Sequence, residues 1–354
     1  MLDIMGHAQT LLEKEIGEQP DSLSRTLDSC GPAVEKLCAE VRRRDISFVM
    51  IAARGSSDNA GIYAKYLLSA FNGLPVVLST PSLYTFYHKP PKLRNALVLG
   101  ISQSGQSEDI LEVLANAKSQ GAITAVVTAD PSSPMAKTAD HPLVLATGTE
   151  KAVAATKTFT ASLAVLAGIS ASLEQSQERL SRLRELPALA SRTIEGAQEA
   201  ARTRAERYRY MDRCVVISRG FSYGIAMEVA LKLKELTYIT AEPYSSADFL
   251  HGPMAMIEPG FPVILIAPKG TLLAHLEDFG HQLQERKAEI IAISDAPSIL
   301  SLGHTRLPVA DGAPEWLTPI LSVIPGQLLG LNLALAKGLE ADSPRGLRKV
   351  TVTR

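Results

Sequence analysis

The sequence predicts an α/β fold of two tandem, doubly wound parallel sheets, flavodoxin-like αβα in layering. Three observations carry that prediction. Short apolar runs bounded by turn residues alternate with helical stretches along most of the 354 residues. The runs are rich in Val, Ile, Leu and Ala while aromatics make up only 5%, which suits helices on buried parallel strands better than an aromatic-rich sandwich. The pattern strand, Arg-Gly-x-Ser, helix also occurs twice, as Arg54-Gly55-Ser56-Ser57 and as Arg219-Gly220-Phe221-Ser222. The length accommodates two domains of roughly 100–200 residues each. The expected organisation is N-terminal helices over 1–44, a first domain over 45–175, a helical connector over 176–204, a second domain over 205–340 and a C-terminal tail over 341–354.

The elements follow in order. Residues 1–44 read as polar helices with apolar spacing, broken around Gln19-Pro20-Asp21, with Ser22 or Ser24 as a cap for the second helix. Ile46 to Ala53 is an apolar run, followed by a helix to about Phe71. Pro75 to Leu78 is the next strand. Ala96 to Ile101 ends in Ser102-Gln103-Ser104-Gly105 and opens a helix to about Ser119. Ile123 to Thr128 and Pro142 to Leu145 are two more strands, and Ala152 to Leu173 is helical. Glu174 to Arg209 is charged and helical. In the second half, Cys214 to Ser218 precedes a helix to about Tyr238. Strands follow at Pro262 to Ala267, Glu289 to Ser294 and Thr305 to Val309, and Pro314 to Leu339 is a long apolar helix.

Composition excludes several classes. Lys and Arg total 36 against 37 Asp and Glu, a net charge of −1, so no basic surplus points to nucleic acid or an anionic membrane. The three cysteines form no C-x-x-C pair, which argues against a zinc ribbon, a thioredoxin-type motif or a disulfide framework. No H-x-x-x-H or H-E-x-x-H pattern occurs, so no metal is expected. The first residues lack a basic n-region and a long apolar core, and the apolar stretch Ile320 to Ala336 is interrupted by Pro325, Gly326, Gln327 and Asn332. The expected location is therefore the cytoplasm.

Ligands of open parallel sheets bind beyond the carboxyl ends of the strands. The loop Ser102-Gln103-Ser104-Gly105-Gln106-Ser107 sits at such an end. It offers three hydroxyls, a glycine and the N–H groups of a helix start, which together make an anion site without lysine. Ordinary capping explains one serine; three in six residues favour a phosphate loop. The absence of G-x-x-x-x-G-K-S/T and G-x-G-x-x-G argues against nucleoside triphosphates and dinucleotides. Arg54 to Asp58 repeats the design more weakly. On the helix over 223–238, Glu228, Lys232 and Glu235 share one face, as a stripe of ion pairs or as a base with a tuned environment. His251 follows that helix and a polar loop, before Gly252-Pro253.

Taken together these residues resemble the sugar isomerase (SIS) family of sugar-phosphate-binding domains, over nearly the whole chain. Within it they are similar to the isomerase half of glutamine–fructose-6-phosphate aminotransferases. The motifs, in order, are Glu15-Ile16-x-Glu18-Gln19-Pro20, Ser102-Gln103-Ser104-Gly105, Glu150 to Phe159, Ala230 to Glu235, His251-Gly252-Pro253 and Asp342-x-Pro344-Arg345-x-Leu347-x-Lys349. There are departures. The chain opens with Met rather than a nucleophilic Cys and no glutaminase segment is present, so glutamine hydrolysis by that route is not expected. Arg54-Gly55-Ser56-Ser57 stands for a Cys-Gly-Thr-Ser type of loop, and Ala155 for a Ser. These spellings look more like the stand-alone amino-sugar-phosphate deaminases of the family.

The resemblance implies that Ser57, Ser102, Gln103, Ser104 and Ser107 hold the sugar phosphate, with the backbone of Val153 to Ala155 near the sugar. It implies ring opening by His251, reaching the site of a neighbouring subunit, and proton transfer between C1 and C2 by Glu235 with help from Lys232. Lys349 lies against the open sugar and could form a Schiff base. The expected activity is conversion of glucosamine 6-phosphate to fructose 6-phosphate and ammonia, without redox or metal cofactors, by a homodimer. The rivals are a hexosamine-phosphate synthase using free or partner-supplied ammonia, and a non-catalytic sugar-phosphate sensor, which would need no Glu235, His251 or Lys349.

Overall fold

The computed structural model describes residues 9–349. They form two compact units, one of residues 21–150, 157–185 and 348–349, the other of residues 9–20, 151–156 and 186–347.

In chain order, α1 (Leu11–Gly17) begins at Thr10, whose hydroxyl accepts the Glu13 N–H. α2 (Gln19–Arg43) starts at once, so the break falls at Glu18 rather than around Pro20. Pro20 occupies the first turn of α2, where its missing N–H costs nothing. Ser22 is therefore buried inside the helix and Ser24 is exposed on it; neither caps it.

The first unit holds β1 (Phe48–Ala52), α3 (Ser56–Asn72), β2 (Val76–Leu78), α4 (Ser82–Thr85), β3 (Ala96–Ile101), α5 (Glu108–Ser119), β4 (Ile123–Thr128), α6 (Pro134–Thr138), β5 (His141–Val144), α7 (Lys157–Leu173) and α8 (Gln177–Leu183). All pairings are parallel, in the order β2-β1-β3-β4-β5. Both faces are covered, which is why β3 and β4 are buried at every position and apolar at all but Thr124 and Thr128. Met50, Ala52, Val98 and Val126 pack under α4, α5 and α6. On the other face α3 and α7 pack together, and Gly61 lets α3 approach Ile51 closely.

The second unit continues with α9 (Leu186–Ala205), β6 (Arg213–Ser218), α10 (Tyr223–Thr237), β7 (Thr240–Ser245), α11 (Ser246–Leu250), β8 (Pro262–Ile266), α12 (Leu273–Glu285), β9 (Glu289–Ser294), α13 (Pro297–Leu302), β10 (Thr305–Pro308) and α14 (Thr318–Ala336). Its parallel order, β10-β9-β8-β6-β7, is the first unit's order repeated. The residues read as a connector form α8 and α9, and α9 packs on α14 and β10. Val215, Ile217, Val263, Leu265 and Ile290 pack with Leu276, Phe279 and Leu283 of α12.

Two further expectations need correction. Thr240–Ser245 reads as a polar loop but forms an edge strand; it pairs only with β6, and an edge tolerates Pro243 and polar residues. The helix expected from Ala152 starts at Lys157, because residues 151–156 are irregular backbone held by side chains. α14 is long and apolar enough to cross a membrane by length and composition, yet 83% of that window is buried inside the protein. Gly326 and Gly330 let it approach α10 at Val229, Leu236 and Lys232.

Candidate active site

Strand order reverses between β1 and β3, which makes the crevice beyond their carboxyl ends the ligand position of this topology. Both flanking loops carry the hydroxyls singled out in the sequence. Ser102 is 7% exposed and its Oγ accepts the Gly105 N–H at 3.1 Å; the Ser104 Oγ accepts the Gln106 N–H at 3.3 Å. Each hydroxyl accepts within the turn and keeps its own proton to donate. Ser107 occupies the N-cap position of α5 without making a side-chain capping bond. Gly105 has φ 62°, and a Cβ there would overlap the Ser133 side chain, so the turn requires glycine. The Gln103 carbonyl accepts from the Ala129 N–H and the Thr128 hydroxyl, which fixes the loop to β4.

The neighbouring loop places Ser57 in the first turn of α3, after Gly55 at φ 56°. Arg54 ties the two loops together: its Nε and Nη2 reach the buried Asp109 Oδ2 at 2.9 and 2.8 Å. The sequence alone did not pair Arg54 with Asp109, which lies 55 residues on. Beside the serine loop lies an open cavity of about 770 Å³, lined by Gln103, Ser104, Gln106, Asp130, Thr149 and Glu150 among others.

Glu150 is a residue that sequence reading gave no role. Its side chain is fully buried and lies against the start of α7, accepting the Thr158 N–H at 3.1 Å and the Thr158 hydroxyl at 2.7 Å. Lys349 Nζ donates to the same carboxylate at 2.8 Å. The signal was present in the sequence as a carboxylate among small residues before a helix, but burial is invisible there.

In the other unit, residues 151–156 are held by carboxylates. Glu15 accepts the Lys151 and Ala152 N–H groups at 2.5 and 3.2 Å. Asp342 accepts the Leu11 and Leu12 N–H groups, while its carbonyl accepts the Val153 N–H at 3.1 Å. Glu15 and Asp342 thus fix the backbone from Lys151 to Val153, while Ala155 is half-buried.

α10 carries the titratable cluster. Lys232 is 1% exposed, with Nζ 3.4 Å from the Glu228 carboxylate and 2.5 Å from that of Glu235. Glu228 is fully buried, whereas the Glu235 side chain is 22% exposed. A buried ammonium needs such partners, since an unpaired charge in a core is strongly disfavoured. Glu235 lies 12 residues after Tyr223, about 18 Å along the helix at 1.5 Å per residue. It is therefore at the far end of α10 from the loop that follows β6. His251 ends α11 in a separate turn and is exposed, with Gly252 at φ 137° behind it.

Thus one unit brings Ser102, Gln103, Ser104 and Ser107 into one loop, sets Ser57 in the adjacent loop, and brings Lys349 to Glu150. The other pairs Lys232 with Glu235 and presents His251 elsewhere. Burial pushes the thiols up, Cys30 to about 11 and Cys38 and Cys214 to about 12, so none is a thiolate at neutral pH. Among the described residues no group of three or more His, Cys, Asp or Glu side chains is arranged to hold a metal ion.

Comparison with known proteins finds one family model twice along the chain. The SIS domain model fits residues 45–168 and 208–337. A glutamine–fructose-6-phosphate aminotransferase (isomerizing) of Aquifex aeolicus is 35% identical over 342 residues, covering 96% of this chain and 57% of that protein. The Zymomonas mobilis enzyme of that name is 35% identical over 98% of this chain and 60% of its own length. The chain therefore spans less than two thirds of the length of these curated relatives. The C-terminal domain of glucosamine-fructose-6-phosphate aminotransferase from Francisella tularensis superposes with a TM-score of 0.86 at 26% identity, over 95% of this chain and 99% of that one. Glucosamine-6-phosphate deaminase from Thermotoga maritima shares the fold, with a TM-score of 0.81 at 22% identity over 97% and 100% of the two chains. The two matched segments take in both parallel sheets and most of the chain, which belongs to the SIS domain family.

Proposed function

We propose that the chain is an amino-sugar-phosphate deaminase/isomerase, converting glucosamine 6-phosphate and water to fructose 6-phosphate and ammonia. The observation that carries this reading is the cluster on α10. Lys232 is buried between two carboxylates, and of the three groups Glu235 alone has an appreciably exposed side chain. A module that only bound sugar phosphate would need no such arrangement, whereas proton transfer needs a positioned carboxylate with a fixed cationic neighbour.

In this reading the serine loop and the start of α5 hold the phosphate through hydroxyls, backbone N–H groups and the helix dipole. His251 opens the ring by moving a proton between the anomeric hydroxyl and the ring oxygen. Glu235 takes the proton from C2, and the resulting enolamine is protonated at C1. The C2 imine so formed adds water and expels ammonia, leaving the ketone. Lys232 steadies the developing charge on the reacting hydroxyl. The loop spellings around Arg54 and Glu150 favour deamination.

The names of the relatives at 35% identity favour a second reading, the reverse reaction run as hexosamine-phosphate synthesis from ammonia. Incubation of the purified chain separates the two. Release of fructose 6-phosphate and ammonia from glucosamine 6-phosphate supports the first. Formation of glucosamine 6-phosphate from fructose 6-phosphate and ammonium, with no measurable release, supports the second. Binding without conversion in either direction overturns both in favour of a sensor.

A further inference from the structure

The Glu150 carboxylate does two things at once. It satisfies the first turn of α7 through Thr158, and it receives the ammonium of a lysine 199 positions away in the sequence. The α7 contacts need no lysine, since a carboxylate at a helix N-terminus is already stabilised by the N–H groups and the dipole. The lysine side chain, by contrast, gives up much of its rotamer freedom when fixed. The pairing is charge-assisted and its acceptor is fully buried. Glu150 also lines the cavity that Gln103 and Ser104 line, so the ammonium is bonded to a residue of the cavity wall beside the serine loop. Lys157 braces the same stretch of chain from the start of α7, its Nζ donating to the Thr149 carbonyl at 2.9 Å.

We propose that Glu150 is a positioning residue, which acts on the reaction by fixing the C-terminal Lys349 at the cavity beside the serine loop. Glu150 touches no reacting atom in this account; its influence passes through Lys349. The proposal rests on the deaminase/isomerase reading for its kinetic consequence but not for the tether itself.

The experiment is a double-variant cycle with a labelling arm. Glu150→Gln keeps an acceptor for the Thr158 N–H and removes the charge that holds Lys349. Turnover of glucosamine 6-phosphate by Glu150→Gln should fall by up to about 10²-fold, the scale of a misplaced reacting group, with KM nearly unchanged. Lys349→Met should lower turnover at least as much. The double variant should be no slower than Lys349→Met alone, because the two act as one unit. Glu150→Asp, which restores the charge on a shorter arm, should recover part of the loss. A double variant that falls by the product of the two single losses overturns the proposal. The labelling arm does not depend on activity: limited acetylation read by mass spectrometry should modify Lys349 faster in Glu150→Gln than in the wild type, relative to the other lysines. Equal labelling of Lys349 in the two proteins overturns the tether even if the enzyme proves inactive on this substrate. An inactive wild type with faster labelling in the variant sinks the functional reading while supporting the tether.

Discussion

At the scale of single residues, the serine loop sets out a division of labour. Ser102 and Ser104 each accept an N–H bond that shapes the turn, and each retains a donor for an anion. Removing both hydroxyls by Ser102→Ala with Ser104→Ala should raise KM for sugar phosphates. Each lost bond is worth about 0.5–1.5 kcal/mol, more against a charged partner. Steady-state kinetics with inorganic phosphate as inhibitor measure this, and an unchanged KM with unchanged inhibition would count against a phosphate site. The serines were legible in the sequence because a strand followed by Ser-Gln-Ser-Gly and a helix has few other uses. Glu150 was not, because nothing in the string distinguishes a buried carboxylate from a solvated one.

At the scale of elements, helix packing and carboxylate pairing make separate predictions. α10 and α14 meet at Gly326, where a Cβ would overlap Val229. Gly326→Ala should therefore destabilise the protein, by about 1–3 kcal/mol of overpacking, and calorimetry should show a lowered Tm. A Tm equal to that of the wild type would mean the helices can separate without loss. In the other unit, Glu40 on α2 bonds to the buried His141 at 2.8 Å. That bond, with Arg44 beside it, holds the Glu40 carboxyl below its ordinary value despite partial burial. A depressed folded value means the stabilisation is present above the ordinary carboxylate range and is lost as pH falls through the folded value. Thermal midpoints followed downward from pH 7 should fall less steeply for Glu40→Gln than for the wild type, and parallel curves would contradict the assignment. Elements with apolar runs were readable because strands covered on both faces leave no polar alternation. β7 was not, since an edge strand with one neighbour keeps the composition of a loop.

At the scale of the whole molecule, the duplication shows in both sheets, each built with the same strand order around its own switch point. The serine cluster, however, occurs only in the first; the corresponding loop of the second begins Ala267-Pro268-Lys269-Gly270. Sequence repetition was legible as strand, Arg-Gly-x-Ser, helix, while the unequal chemistry of the halves followed from the particular residues. The long apolar helix α14 is mostly buried inside the protein. Among the exposed large apolar residues are Leu250 at 42% and Met256 at 41%, on either side of His251 in the sequence. A homodimer that covers this segment is the proposed assembly. Sedimentation at micromolar concentration should give twice the chain mass, and a monomer with full activity would contradict it.

The central claim is that Glu235, set by Lys232, moves the proton at C2. Exchange of that proton with heavy water, followed by NMR on glucosamine 6-phosphate, tests it most directly. The wild type should exchange. Glu235→Gln keeps the shape of the side chain and should lose about 10²–10⁴-fold in exchange and in kcat together, while still binding the sugar phosphate. A wild type that binds but never exchanges, or a Glu235→Gln variant that exchanges as fast as the wild type, would contradict the account.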